Sequence, residues 1–177
     1  MLLRRLFARP RIEPVRAVYE AIVAAARHSC LYAAYGVPDT IDGRYDMIVL
    51  HAILVLDRLK SAGGEGNEFA QRLTDYLFSD MDRSLREMGV GDLSVGKKVR
   101  RMAEVFYGRA QAYTPGFAAG SRDFLVAALA RNVFPGEVNP LGAERLADYV
   151  LSAREQLRQT ASERILEGRF AFEEPRA

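Results

Sequence analysis

Residues Met47 to Leu56, MIVLHAILVL, are apolar at nine of ten positions, with His51 the exception. Spanning a bilayer takes about 20 apolar residues, and Asp46, Asp57, Arg58 and Lys60 flank this run closely. A helix that is apolar on every side and this short belongs at the centre of a water-exposed domain, with other helices around it. The rest of the chain must therefore supply the partners.

It does so with helical periodicity throughout. Pro14 suits a first helical turn, and Val15, Val18, Tyr19, Ile22, Val23 and Ala26 follow at three- and four-residue steps. This first helix is expected to run to about Tyr35 and to stop at Gly36-Val37-Pro38. A polar turn from Asp39 to Gly43 leads into the central helix, with Asp42 as its cap; Ser61 to Gly64 ends it. Asn67 or Gly66 caps a third helix, with the stripe Phe69, Leu73, Tyr76, Leu77, Met81, Leu85 and Met88. Arg72, Asp75, Asp82 and Arg86 line its other side, spaced for ion pairs. After Gly89 and Gly91, Ser94 is the expected cap of a fourth helix facing inward with Val95, Val99, Met102, Phe106, Ala110 and Tyr113 and ending near Thr114-Pro115-Gly116.

Ser121 opens a fifth helix (Leu125, Ala128, Leu129, Val133 inward), stopped by Phe134-Pro135-Gly136. Asn139-Pro140 opens a sixth (Leu146, Val150, Ala153, Leu157), ending at Glu167-Gly168. Phe170 and Phe172 in the tail are expected to pack back on the body. No segment alternates with the two-residue period of a strand. The expected fold is all-α, a compact single-domain bundle of about six helices, with a basic N-terminal segment at 1–12 and the helical domain at 13–177.

Charge is placed unevenly. The net charge is +2, yet residues 1–16 carry Arg4, Arg5, Arg9, Arg11 and Arg16 against Glu13, a balance of +4, leaving −2 for the remainder. A near-neutral body argues against a nucleic-acid binder. Arg4 and Arg5 interrupt the apolar start MLLRRLFA, so no secretory signal is expected. Arg4, Arg5 and Arg9 are candidates for contact with an anionic membrane or a ribosome; the alternative is a frayed end without a role.

Lys97, Lys98, Arg100 and Arg101 crowd the expected opening turns of the fourth helix. Cations there oppose the helix dipole by about 0.3–1 kcal/mol each, so a partner outside the helix is one reading and a solvated basic face the other. Tyr107, off the apolar stripe and read as lying among Arg100, Arg101 and Arg109, completes the candidate partner-binding set; Tyr and Arg are enriched where proteins grip one another.

Chemical machinery is hard to find. The single Cys30 allows no intramolecular disulfide and suits a reducing compartment. One Cys and the separated His28 and His51 make no zinc site, and no phosphate-binding glycine motif is present. Asp39, Asp42 and Asp46 have cation-like spacing across a turn, and Asp80 and Asp82 resemble half of the aspartate pairs in prenyl-transferring enzymes, with the second cluster missing. His51 reads as a core histidine satisfied by a tyrosine or carboxylate, or else as a groove-lining group. No cofactor, metal site, small-molecule substrate or enzymatic function is expected.

Two stretches carry a resemblance: YGVPDTIDGRYDMIVLHAILVLDRLK, Tyr35 to Lys60, and FSDMDRSLREMG followed by VGDLSVGKKVRRMAEVFYGRAQAY, Phe78 to Tyr113. They resemble the ubiquinol–cytochrome c reductase assembly chaperone family; the sequence beyond about 120 adds little. The resemblance implies a non-catalytic protein that holds newly made cytochrome b, or another bc1 assembly intermediate, before haem loading. It implies a cytoplasmic location at the inner face of a bacterial inner membrane, or the matrix side in mitochondria, where a small partner protein also takes part. The chain starts close to its expected first helix, as in a bacterial or processed member. A helical membrane or ribosome adaptor with no cytochrome b client is the alternative.

Overall fold

The computed structural model describes residues 12–136 and 139–176. Six long helices are α1 (Ile12–Ala26), α3 (Ile41–Leu59), α4 (Gly63–Glu87), α5 (Asp92–Ala119), α6 (Arg122–Val133) and α7 (Pro140–Gln159); α2 (Ser29–Ala33) and α8 (Ser162–Leu166) are short. No strand occurs among the described residues. The expected all-α bundle is what forms.

The apolar run is its axis. α3 packs against α1, α4, α5 and α7, and α4–α5, α5–α6 and α6–α7 are consecutive packed pairs. Met47, Val49, Leu50, His51, Ala52, Ile53, Leu54 and Val55 are all buried. The inward stripes of α6 (Leu125, Ala128, Leu129, Val133) and α7 (Leu146, Val150, Ala153, Leu157) are buried as the spacing demands. Ser121 and Asn139 cap these helices, accepting from the Phe124 and Gly142 amides.

Several boundaries differ from the expectation. The first helix breaks at Arg27-His28, where the Tyr32 hydroxyl takes up the Ala26 carbonyl at 2.7 Å and His28 Nδ1 accepts from the Cys30 amide at 3.3 Å, capping α2. Thr40, two residues before the Asp42 expected as cap, accepts from the Gly43 amide at 3.1 Å and starts α3. α4 begins at Gly63, ahead of both caps expected for it, after a 3-10 turn over Lys60–Ala62. Gly66 lies inside its first turns, so near α3 that a Cβ would stand 2.2 Å from the Leu59 carbonyl oxygen.

α5 starts at Asp92 rather than after Ser94, and it runs through Pro115 to Ala119. Proline removes the amide that would reach the Gln111 carbonyl. Both residues face solvent, so water can serve that carbonyl. The last long helix stops at Gln159, with α8 making up the rest of the expected span. Met88, assigned to the inward stripe of α4, is 58% exposed because the helix ends at Glu87. Of the two ion pairs expected on α4, Asp82–Arg86 forms at 2.7 Å. Arg72 instead lies over the Phe69 ring at 5.3 Å, and Asp75 accepts from Gln71.

Candidate interaction face on α5

Because α5 begins at Asp92, Lys97 is its sixth residue and the cations occupy the second and third turns. The helix dipole acts mainly on the first turn, so it does not oppose them there, and the first turn carries Asp92 as helix chemistry favours. What singles out these cations is their surroundings. Lys97, Lys98, Arg100 and Arg101 are all exposed. Arg101 pairs with Glu104 at 3.2 Å, whereas no carboxylate pairs with Lys97, Lys98 or Arg100 among the described residues.

At 3.6 residues per turn, Leu93, Lys97, Arg100, Arg101, Glu104 and Tyr107 share the outer side of α5, with Lys98 at its flank. Tyr107 is 60% exposed, its ring edge-to-face with buried Phe106 at 5.3 Å. Leu93 is 100% exposed at the start of the same face, and Met88 lies just across the α4–α5 turn. Neither was a candidate from sequence. Leu93 lies outside any inward stripe, and its position two residues after Gly91 was the only sign that it could stand free. The face offers unpaired positive charge beside bare apolar side chains, a mixture suited to gripping a protein with acidic and apolar groups.

Arg109 is not part of it. Its guanidinium turns inward, donating from Nε to Asp46 Oδ1 at 3.1 Å and from Nη2 to Asp46 Oδ2 at 3.3 Å, with Asn132 accepting at 2.8 Å through both its side-chain and backbone oxygens. The pair ties α5 to α3 and α6. Burial pushes the Asp46 carboxyl up, with Arg109 pulling against it.

The same geometry disperses the other acidic candidates. Asp39 pairs with Arg44 at 2.6 Å, and that contact holds its carboxyl below the usual range. Asp80 accepts from the Tyr19 hydroxyl at 2.7 Å and pairs with Arg83, while Asp82 is held by Arg86. Among the described residues no three His, Cys, Asp or Glu side chains gather as a metal site would require. His51 is fully buried, with Nδ1 against the Met47 carbonyl at 2.7 Å and Nε2 against the Tyr149 hydroxyl at 2.8 Å. A carbonyl only accepts, so Nδ1 carries the proton and Tyr149 donates to Nε2. Both ring nitrogens are engaged, and the tyrosine is one of the two kinds of partner the core reading named. Arg4, Arg5 and Arg9 lie outside the described residues.

Residues 33–172 match the family described as ubiquinol–cytochrome C chaperone. The chain belongs to that family. The match extends well past residue 120, where the sequence resemblance was weak, and takes in α6, α7 and α8. Ubiquinol-cytochrome-c reductase complex assembly factor 1 of Xenopus laevis is 25% identical over 134 residues, 75% of this chain and 66% of that protein. The Mus musculus factor is 27% identical over 130 residues, 73% of this chain and 44% of its own length. The Homo sapiens factor is 28% identical over 114 residues, 64% and 38% respectively. The chain thus spans two thirds or less of these relatives. The crystal structure of the Cbp3 homolog from Brucella abortus superposes with a TM-score of 0.85 at 41% identity, covering 98% of this chain and 97% of that one. No described helix of this family member is long and apolar enough to cross a membrane.

Proposed function

We propose that the protein is an assembly chaperone of the ubiquinol–cytochrome c reductase complex that binds newly made cytochrome b and releases it without covalent chemistry. The family match over residues 33–172 carries this reading. The α5 face supports a binding role. Lys97, Lys98, Arg100 and Arg101 meet acidic groups of the client or of a partner protein, and Tyr107, Leu93 and Met88 add apolar contact. Acidic candidates engaged in separate ion pairs fit binding better than catalysis. Arg4, Arg5 and Arg9 serve as a membrane or ribosome contact that keeps the protein beside an emerging client at the cytoplasmic face of the inner membrane.

The test is deletion of the gene in the organism that encodes it, with cytochrome b and assembled complex quantified in membranes. Rescue is then attempted with wild type and with Lys97, Lys98, Arg100 and Arg101 all changed to Ala. Loss of the complex, restored by wild type alone, is the expected result. Equal rescue by both would return the four cations to a solvated role. An unchanged level of the complex would sink the assembly reading and favour an adaptor with no cytochrome b client.

A further inference from the structure

Residues 168–176 follow α8 with neither helix nor strand, yet they are held along their whole length. Gly168, at φ +71°, turns the chain so close to α1 that a Cβ would sit 2.6 Å from the Ala17 Cβ. Phe170 and Phe172 meet edge to face at 5.6 Å, and Phe172 stands edge-on to His51 at 5.0 Å. Gln156 of α7 grips the backbone on both sides of Phe172. Its Nε2 donates to the Ala171 carbonyl at 3.1 Å, and its Oε1 accepts from the Glu173 amide at 2.9 Å. Beyond a buried Pro175, the Tyr35 hydroxyl donates to the Arg176 carbonyl at 2.9 Å.

These contacts are one-sided. The body supplies side chains, Gln156 and Tyr35, whereas the segment supplies main-chain groups and two aromatic rings. Main-chain hydrogen bonding combined with pockets for alternate side chains is how proteins bind extended peptides of varied sequence. The fit is also incomplete. Phe170 and Phe172 remain half-buried, and a largely apolar cleft of about 220 Å3 lies between them and Ala21, Ala25 and His28.

We propose that the groove between α1 and α7 is a peptide-binding groove for an extended, aromatic-bearing segment of the assembly client, and that residues 168–176 occupy it as a displaceable stand-in. The seated segment shows the chemistry of the occupant: extended backbone with aromatic side chains two residues apart. A membrane-protein client offers such stretches before its apolar surface is packed away. Naming the client as occupant rests on the assembly reading; the groove itself rests on the contacts above.

The experiment uses the full chain and a fluorescein-labelled synthetic peptide of residues 168–177. Phe172→Ala weakens the internal segment and leaves the groove intact, so the peptide should bind this variant at least tenfold more tightly than wild type. Adding Gln156→Ala should remove the gain. A Phe172→Ala chain with wild-type circular dichroism and no peptide binding overturns the proposal. Hydrogen exchange of the wild-type protein tests it without any variant. The Glu173 amide should exchange at least a hundredfold faster than the α3 amides, and exchange of both only by global unfolding would overturn it. A dimer that dissociates on adding peptide would assign the groove to a second copy, against the client. No part of this assay involves the reductase complex, so its failure is separable from failure of the assembly reading.

Discussion

The Tyr149 hydroxyl reaches His51 Nε2 at 2.8 Å across the α3–α7 interface, inside a site that disfavours a charged ring. A proton on Nε2 would bring a charge into a site with no water-exposed surface and force the Tyr149 hydroxyl to turn its own proton away in order to accept. Burial accordingly lowers the His51 pKa from 6.5 to about 4. The unfolded chain binds the proton more readily, so stability is complete above pH 6.5 and falls as the pH drops from there towards 4.

By pH 5 this one group should cost about 2 kcal/mol relative to pH 8. Urea denaturation across that range checks it. His51→Gln should flatten the slope even if it lowers stability overall, and an unchanged slope would mean that some other group dominates.

Arg109 and Asp46 are 22% and 10% exposed, so breaking the pair leaves a buried charge. Arg109→Ala should destabilise by about 3 kcal/mol, in line with loss of one partner of a buried pair. The double variant Asp46→Leu with Arg109→Met should be markedly more stable than Arg109→Ala. Equal stabilities would show that the stranded Asp46 carboxylate costs nothing, and that the loss in Arg109→Ala comes from its other contacts.

The cations of α5 make the opposite prediction. Changing Lys97, Lys98, Arg100 and Arg101 together to Ala should move stability by less than about 1 kcal/mol, because exposed charges contribute little. Retained melting temperature with lost rescue of complex assembly is the expected pairing. A large fall in melting temperature would make the face structural.

Gly64 and Gly66, two positions apart and on different sides of α4, should respond differently. Gly66→Ala must displace the Leu59 carbonyl and should cost more than about 2 kcal/mol, since tightly packed cores resist added methyl groups. A Cβ on Gly64 meets nothing within 4 Å, so Gly64→Ala should be neutral or stabilise by up to about 1 kcal/mol. Parallel urea midpoints for the two variants decide the matter.

The inward stripes of α6 and α7 were legible because each repeats at three- and four-residue steps, and their caps follow from Ser121 and Asn139. The break at Arg27-His28 was not, since it contains neither glycine nor proline and rests on side chains, Tyr32 and His28, outside the usual capping set. Gly63-Gly64 reads as a stop in sequence, but the close approach of α3 at Gly66 lets the helix start there. Arg109 was misplaced because its partner Asp46 lies 63 residues earlier, beyond any local pattern. On the candidate face, the exposure of the cations follows from the stripe opposite. That of Leu93 and Met88 depends on where α4 stops and α5 starts, which propensity places only to within a turn.

Tyr35 and Arg176 are joined across 141 residues of chain. During synthesis the helical body emerges first and the segment that seats Phe172 on His51 emerges after it. A nascent copy of the protein therefore exposes its own groove until residues 168–176 have left the ribosome, and that stretch of polypeptide completes its part of the fold from outside, after the core has formed.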